Sequence, residues 1–320
     1  MKALKAAATL RVKPNAAKRI TLFFQRNGVF FLMLLPGAIV LLINNYLPMA
    51  GIVVAFKNYN YGLGIFGSPW VGFDNFKYLF MSGKAWIITR NTLLYNSAFI
   101  LISISVPVMM AIGLKELLNK RMAKIFQSIY FLPYFLSWVM VSYLVFGLLS
   151  AETGSLNVFL KGLGIDPKNW YAEPSYWPFF LVIINTWKSV GYDIVVFMAS
   201  ICAFDKSYYE VATVEGASKW QQIRHITIPL LKPIIITLTL MKIGRIFFAD
   251  FGLFYIIPRD SGVLNNVVDV IDTYVYRGLR LNGDIGMATA AGLFQSVVGF
   301  ITIILANQLV KKVDSENSLF

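Results

Sequence analysis

An all-α fold embedded in a membrane is predicted by three properties of this 320-residue sequence. Hydrophobic residues make up 57% of the chain and charged residues only 14%, whereas soluble domains carry about a quarter charged residues. The apolar residues form six continuous runs, each long enough to cross a hydrocarbon layer about 30 Å thick. Because the runs are continuously apolar and do not alternate with polar residues, they favour helices over a β-barrel.

The six runs predict one transmembrane domain, residues 29–310. A basic segment, residues 1–28, precedes it, and a short tail, residues 311–320, follows it. The first run contains Asn44, Asn45 and Pro48, but we expect a single tilted helix that is longer than the bilayer is thick. The predicted spans are residues 29–56, 93–114, 125–149, 177–204, 228–257 and 285–310.

The distribution of basic residues predicts which side of the membrane each segment faces. Residues 1–28 contain seven Lys and Arg and no acidic residue, as expected of a cytoplasmic segment. With this end inside, the cytoplasmic segments and the base of the fifth span carry 17 Lys and Arg. The outside loops carry nine over a greater length. The sequence therefore predicts that both termini and the loop of residues 205–227 are cytoplasmic.

Several classes of function are excluded or disfavoured by absent residues. The single cysteine, Cys202, allows no internal disulfide, and the single histidine, His225, excludes a His-pair zinc site. The sequence contains neither a G-x-S-x-G nucleophile motif nor a phosphate-binding loop. No aromatic residues interleave with the basic ones, which disfavours nucleic acid as a partner. We therefore predict no catalytic residue, no metal site and no cofactor bound by this chain.

The loop of residues 205–227 is the most informative polar segment, with the sequence DKSYYEVATVEGASKWQQIRHIT. Ser207 and Glu210 have the spacing of a capping box, which predicts a short helix. Gly216 then allows a bend, and a second helical turn leads to Pro229 at the start of the fifth span. We expect this segment to expose Glu210 and Glu215, with a small-residue edge at Ala212 and Ala217. The alternative is a solvated irregular loop.

Five charged residues lie inside predicted spans, where each costs about 2.5–3.5 kcal/mol at the centre of a bilayer. One interpretation is that they form structural pairs, Lys188 with Asp193 or Arg245 with Asp250. The other is that they line a substrate path together with neighbouring aromatic residues. The predicted path residues are Trp187, Lys188, Tyr192, Asp193, Lys242, Arg245 and Asp250.

Small residues recur on the sixth span at Ala288, Gly292 and Ser296, four residues apart. Such a stripe allows a second helix to approach closely within a membrane. It favours a membrane partner, although packing within the chain would use the same pattern.

The loop resembles the "EAA … G … I-x-x-P" signature of ABC importer permeases. The match is carried by Glu210-Val211-Ala212, Gly216-Ala217, Ile226 and Pro229, and it departs at Val211, where the family usually has Ala. "PWVGFDNFKYLF" is similar to a loop of carbohydrate-uptake permeases. "ADFGLFYIIPRDSG", "DVIDTYVYRGL" and "GDIGMATAAGLFQSVVGF" are similar to the LplB-like polysaccharide and oligosaccharide permeases, a subfamily that includes an alginate importer subunit.

The resemblance implies the six-helix fold of a type I importer, located in the bacterial inner membrane. It implies that the loop is a coupling helix, with Glu210, Ala212, Glu215, Gly216, Ala217, Ile226 and Pro229 as coupling residues. The implied partners are a second permease chain, two ATPase subunits that bind ATP and Mg²⁺, and an extracytoplasmic solute-binding protein. The implied substrate is an oligo- or polysaccharide, anionic if it is similar to alginate.

Two other classes of function remain open at this stage. An ion-coupled secondary sugar transporter would use Asp193 and Asp250 as ion carriers and would need no ATPase. A membrane-embedded sugar-processing enzyme would need a pair of carboxylates on an outside loop, and no convincing pair is present.

Overall fold

The computed structural model describes residues 16–81, 83–117 and 120–313. Within these ranges the chain is helical, and the one β interaction is an isolated bridge between Lys57 and Trp70. The all-α prediction is therefore confirmed. Five helical runs are long and apolar enough to span a membrane, and a bent helix pair brings the number to six. Parts of the predicted N-terminal segment (1–15) and tail (314–320) lie outside the described residues.

Fourteen α-helices are assigned over the described residues. In chain order they are α1 Ala16–Leu41, α2 Gly64–Gly67, α3 Asp74–Met81, α4 Ala85–Glu116, α5 Lys120–Phe131, α6 Trp138–Leu149, α7 Ser155–Gly162, α8 Trp177–Cys202, α9 Ser207–Val214, α10 Lys219–Gln222, α11 Ile228–Ile243, α12 Asn265–Val268, α13 Ile271–Asn282 and α14 Ile285–Val313.

The chain divides into two compact units between Val53 and Val54. In the first unit, α1 continues into a π-helical turn, Leu42–Tyr46, and a 3₁₀ segment that begins at Leu47. Asn44 donates a hydrogen bond to the Val40 carbonyl within the same helix, at 3.0 Å. This bond satisfies a polar side chain without interrupting an apolar span.

The second unit is built around α4 and α8, whose apolar faces pack together at both ends. At one end, Ile194, Phe197 and Ile201 of α8 are buried against Ala111 and Leu114 of α4. Their spacing of three and four residues places them on one face of the helix.

At the other end, Trp177 and Leu181 of α8 are buried with Tyr95 of α4 and Phe254. The two clusters account for most of the buried side chains that hold the spans together.

The third span is a bent pair of helices, α5 and α6, which meet at 101°. A 3₁₀ turn, Leu132–Phe135, separates them, and the buried Pro133 in this turn has no N–H to continue the helical bonding. Ser137 then caps α6 by accepting a hydrogen bond from the Met140 N–H at 3.3 Å. The predicted span of residues 125–149 is therefore not one straight helix.

The fifth span also differs from the prediction. The helical run begins at Lys219, nine residues before the predicted start, and ends at Ile243. Turns follow, and a π-helical segment, Gly252–Ile256, forms the next regular element. The prediction of a continuous helix over 228–257 is wrong, because side chains from other helices bind the backbone groups of the interrupted segment, as described below.

The two interruptions meet at Trp138 and Gly252. A Cβ atom added to Gly252 would lie 2.0 Å from Trp138 Cδ1, so only glycine allows this approach. Nearby, the Ser142 hydroxyl donates to the Ile256 carbonyl at 2.9 Å. The end of the bent third span and the far part of the fifth span are thus packed and hydrogen-bonded to each other.

Replacing Gly252 by Ala is expected to destabilise the second unit by about 1–3 kcal/mol, because the added methyl group overpacks the contact with Trp138. Thermal unfolding of the purified protein in detergent measures this effect as a lower Tm. Gly292→Ala is the matched control, because no atom lies within 4 Å of a Cβ at that position. Equal Tm values for the two variants would contradict the close packing of the interruptions.

Candidate functional site

The loop between α8 and α11 is an ordered pair of short helices. α9 ends next to Gly216, whose φ of +82° lies in the left-handed region that favours glycine. The Ala217 N–H then donates to the Ala212 carbonyl at 2.8 Å, which closes the turn. The loop therefore forms the predicted helix–turn–helix and not an irregular solvated segment.

The capping box lies at a different place from the predicted one. Ser207 is already inside α9, and its N–H donates to Asp205 Oδ1 at 2.9 Å. The reciprocal bonds of a capping box are formed by Ser218 and Gln221 at the start of α10. Asp205 supplies the acceptor that we had expected from Ser207, so Glu210 has no capping role.

Polar contacts connect this loop to the end of α4. Lys219 forms an ion pair with Glu116, with 3.3 Å between Lys219 Nζ and Glu116 Oε2. The ammonium of Lys115 lies 3.5 Å from the centroid of the Tyr209 ring and makes no hydrogen bond within the described part of the chain. A cation desolvated over an aromatic ring is attracted by about 2 kcal/mol.

Two further side chains hold the loop together internally. The buried Gln222 amide donates to Thr213 Oγ1 at 3.0 Å and to the Ala217 carbonyl at 3.2 Å. The Tyr209 hydroxyl lies 3.0 Å from Thr227 Oγ1. The loop is therefore a rigid unit fixed to the membrane helices.

The surface of the loop differs from the predicted small-residue edge. Glu210 and Glu215 are exposed as predicted, but Ala212 and Ala217 are half-buried within the turn. Ile226 is half-buried and Pro229 is exposed in the first turn of α11. The exposed apolar residues are Tyr208, Val211, Val214 and Trp220, of which the sequence had indicated only Val211, as a departure from the family pattern.

Val214 has the largest exposed fraction of these, 89%. Exposed aromatic and aliphatic residues at a rigid surface are typical of protein interfaces. The departure from the family pattern at Val211 falls on this same surface. The sequence signal that could have found it is a set of large apolar residues in a short, otherwise polar cytoplasmic segment.

Among the intramembrane charges, the structure pairs Lys242 with Asp193. Their side chains meet at 3.0 Å and join α8 to α11. Neither predicted pair, Lys188 with Asp193 or Arg245 with Asp250, forms within the described residues. The pairing follows from the crossing of the two helices, which the sequence does not reveal.

Lys188 instead lies at the interruption of the third span. Its ammonium donates to the Tyr134 carbonyl at 3.0 Å and lies 5.1 Å from the centroid of the Trp138 ring. Tyr192, one helical turn further along α8, stacks on Tyr134 with 5.1 Å between ring centroids. The cation thus lies near two aromatic rings, those of Tyr134 and Trp138, beside a freed carbonyl group.

The other predicted path residues are more dispersed. Asp250 Oδ1 accepts the N–H groups of Gly252 and Leu253, at 2.8 and 3.3 Å, and so caps the π-helical segment. Arg245 is exposed. Trp187 lies on another face of α8, where it lines an apolar cavity of about 630 Å³ with residues of α6.

Amide side chains from other helices bind the interrupted segment of the fifth span. Asn96 of α4 donates to the carbonyls of Ile246 and Phe248, at 2.8 and 3.0 Å. Gln295 of α14 is buried and donates to the Phe247 carbonyl at 2.7 Å. Non-helical backbone at membrane depth requires such internal partners.

Asp272 of α13 completes this set. Its carboxylate accepts the Ala249 N–H at 2.8 Å and a second hydrogen bond from Gln295 at 3.1 Å. Burial raises the pKa of Asp272, and the two donated hydrogen bonds act in the opposite direction. Discontinuous helices of this kind are typical of substrate sites in transporters, and the sequence analysis missed the feature.

The chain belongs to a family of membrane transport subunits: residues 103–315 match the binding-protein-dependent transport system inner membrane component family. It is therefore a multi-pass transport permease of the inner membrane. The sequence is 33% identical to the polygalacturonan/rhamnogalacturonan transport system permease protein YteP of Bacillus subtilis (strain 168), over 95% of this chain and 94% of that protein. It is also 33% identical to protein LplB of the same organism, over 91% of each chain.

Two solved structures have the same fold. A chain of a bacterial ABC transporter involved in the import of the acidic polysaccharide alginate superimposes with a TM-score of 0.84 at 32% identity, covering 92% of this chain and 99% of that one. A chain of a bacterial alginate ABC transporter in complex with alginate pentasaccharide-bound periplasmic protein gives a TM-score of 0.83, also at 32% identity, and covers 92% and 98%. The predicted family and fold are confirmed.

Breaking the ion pair between α8 and α11 tests its contribution to the fold. Asp193→Ala leaves the Lys242 ammonium without a counter-charge and is expected to lower the free energy of unfolding by about 1–3 kcal/mol. The loss stays moderate because the Lys242 side chain is partly exposed and keeps part of its hydration. The double variant Asp193→Ala/Lys242→Met removes the unpaired charge and is expected to recover most of the loss. Thermal unfolding in detergent measures both.

Lys188→Met is the control, because Lys188 forms no ion pair within the described residues. Its replacement should change the Tm by the same amount with and without Asp193→Ala. A double variant at Asp193 and Lys242 that is no more stable than Asp193→Ala would contradict the pairing.

Proposed function

We propose that this chain is one of two permease subunits of an ATP-driven importer that moves an oligo- or polysaccharide across the inner membrane. The observation that carries the proposal is the rigid loop of residues 205–227, which exposes apolar residues and is tied to α4 by charged contacts. A surface of this kind suits a partner protein whose conformational change displaces the membrane helices.

The partner proposed for this loop is an ATPase subunit, with a second ATPase on the other permease. The chain has no phosphate-binding loop of its own, so ATP and Mg²⁺ would be bound by those subunits. Glu210, Glu215 and the exposed residues Val211 and Val214 would contact the ATPase. Gly216 would set the angle between α9 and α10, and Ala212, Ala217, Ile226 and Pro229 would hold the hairpin in shape.

Movement of the loop has a physical route into the membrane through α4. Lys115 and Glu116 contact the loop, and Asn96 on the same helix holds the interrupted fifth span. Lys115 lies 19 positions after Asn96, a separation of about 29 Å along one continuous helix that includes Pro107. ATP-driven closure of the ATPases would tilt α4 and reopen the substrate path towards the outside. The permease would then have two states, and the balance between them would be set both at the loop and at the substrate path.

The substrate path is proposed to pass the two interruptions. Lys242 is neutralised by Asp193, so Lys188 and Arg245 are the cations left to meet hydroxyl or carboxylate groups of a sugar. Tyr192 offers a flat apolar face beside them. The names of the relatives, which refer to polygalacturonan, rhamnogalacturonan and alginate, support a saccharide.

The remaining partners are a second permease and an extracytoplasmic solute-binding protein. A close-packing surface for the second permease is available on α14, where Ser296 is exposed and no atom lies within 4 Å of a Cβ at Gly292. The solved transporter that is bound to a periplasmic protein supports the second partner. The distribution of basic residues supports cytoplasmic termini.

An ion-coupled secondary transporter is the alternative, and the geometry favours it less. Asp193 is engaged by Lys242, and Asp250 accepts two backbone N–H groups. A carboxylate that carries protons or sodium through a transport cycle needs to release such partners. Uptake of a saccharide by the purified chain alone under an ion gradient would support this alternative.

Co-purification from native membranes tests the proposal. Val214→Glu places a charge on the exposed surface of the loop and is expected to lower recovery of the ATPase about tenfold or more. Glu210→Lys reverses a charge there, and Gly216→Pro cannot adopt the φ of +82°, so both should uncouple ATP hydrolysis from saccharide uptake.

Val158→Glu is the matched control, since Val158 is an exposed valine on the short helix α7, distant in sequence from the loop. All variants should insert into the membrane in wild-type amounts. Full recovery of the ATPase and normal ATP-dependent uptake in the three loop variants would refute the coupling role.

A further inference from the structure

A second polar site lies at the end of the membrane helices that is remote from the loop of residues 205–227. Here the end of α6 and two connecting segments surround an open cavity of about 420 Å³. This volume lies within the range of small-ligand sites, about 300–1,000 Å³. The lining residues are Phe146, Ser150, Ala151, Glu152, Asn169, Tyr171, Pro258, Arg259 and Ser261.

Arg259 is held in an unusual backbone conformation. Arg259 and Asp260 have φ values of 57° and 52°, in the left-handed region that residues other than glycine rarely adopt. Arg277 fixes this turn by binding Asp260, with 2.9 Å between Arg277 Nε and Asp260 Oδ1, and by binding Asp269 as well. Strain that a surrounding network maintains is typical of functional sites.

The same network leaves Arg259 free to bind an external anion. The nearest acidic residue in sequence, Asp260, is neutralised by Arg277, and no ion pair within the described residues includes Arg259. Its guanidinium lies 4.1 Å from the centroid of the Phe146 ring. A guanidinium over an aromatic ring is attracted to the ring face, and its five N–H donors lie in its own plane, where they can pair with a carboxylate.

Tyr171 provides a second unused polar group in this cavity. Its hydroxyl is buried and has no hydrogen-bond partner within the described residues. Burial raises the pKa of Tyr171 to about 12, although the charge of Arg259 acts against this, so the hydroxyl is neutral and able to donate at physiological pH. A buried hydroxyl without a partner is uncommon, because it costs free energy unless a ligand or water binds it.

We propose that this cavity binds a sugar unit that carries a carboxylate. Arg259 pairs with the carboxylate through two parallel hydrogen bonds, the geometry that a guanidinium favours. The Tyr171 hydroxyl and the Asn169 amide bind sugar hydroxyls. Glu152, the one acidic lining residue, accepts further hydroxyl groups but weakens the attraction for an anion. In the proposed importer this is the first site that the saccharide meets on the chain.

Direct binding tests the site separately from transport. The wild-type transporter is purified with its co-purifying subunits, without the binding protein, and reconstituted in nanodiscs. Saturation-transfer NMR then compares methyl α-D-galacturonate, a pyranose with one carboxylate, with the neutral methyl α-D-galactoside. The wild type is expected to bind the galacturonate more tightly than the galactoside.

Arg259→Asn is the diagnostic variant, because asparagine tolerates the left-handed conformation and removes the charge. It should weaken galacturonate binding about tenfold and leave galactoside binding unchanged. Tyr171→Phe should weaken both sugars, and Glu152→Gln should strengthen galacturonate alone. Arg280→Asn is the matched control, since Arg280 is exposed on α13 and does not line the cavity.

Three results would overturn the proposal: no binding of the galacturonate to the wild type, equal binding of the two sugars, or an unchanged affinity in Arg259→Asn with a wild-type Tm. If Arg259→Asn weakens only association with the binding protein, the cavity is a protein contact and the sugar site is refuted. The proposal rests on the importer function for its biological ligand, but ATP-dependent uptake tests that function independently of this binding measurement.

Discussion

The structure depends on one constraint: a backbone polar group inside a membrane must find its hydrogen-bond partner within the protein. Two of the spans are interrupted, and each interruption frees carbonyl groups. Asn96 and Gln295 bind those of the fifth span, and Lys188 binds one of the third. These three residues come from three different helices, so the interruptions also join the spans to one another. Carbonyl groups that would be unpaired in an isolated helix therefore connect neighbouring helices of the bundle.

The same arrangement gives the proposed coupling between the loop and the membrane interior a physical route. α4 carries contacts at two levels, with Asn96 at the interrupted fifth span and Lys115 and Glu116 at the loop between α8 and α11. The chain between these two levels is one continuous helix that includes Pro107, so the proposed movement would pass along α4 itself. The loop itself is rigid, since the buried Gln222 and the turn at Gly216 fix its two helices. Rigid parts joined at defined contacts are what alternating access requires.

Ion pairs decide which cations stay unpaired at two levels of the second unit. Within the membrane, Asp193 neutralises Lys242. Lys188, at the interruption of the third span, has no ion-pair partner within the described residues and lies near the rings of Tyr134 and Trp138. At the remote end, Arg277 cancels Asp260 and leaves Arg259 stacked on Phe146. In both places an ion pair removes one charge and an aromatic ring holds the neighbouring cation. The pairing therefore decides which cations are available to a ligand.

The sequence by itself determined the fold class, the apolar runs and the family, because these depend on local composition, spacing and motif. It indicated a helix–turn–helix around Gly216 but left an irregular loop open, and the tertiary structure decided between the two. It did not reveal that the third and fifth spans break, since proline is tolerated within many membrane helices and the amides that bind the freed carbonyls of the fifth span lie far away in sequence. It also misassigned the partner of Asp193, because only the crossing of α8 and α11 brings Lys242 within 3.0 Å. The cavity beside Arg259 was invisible for the same reason. Contacts between residues far apart in the sequence, 49 positions for Asp193 and Lys242 and 150 for Asn96 and Ile246, are decided by tertiary packing and leave no local pattern.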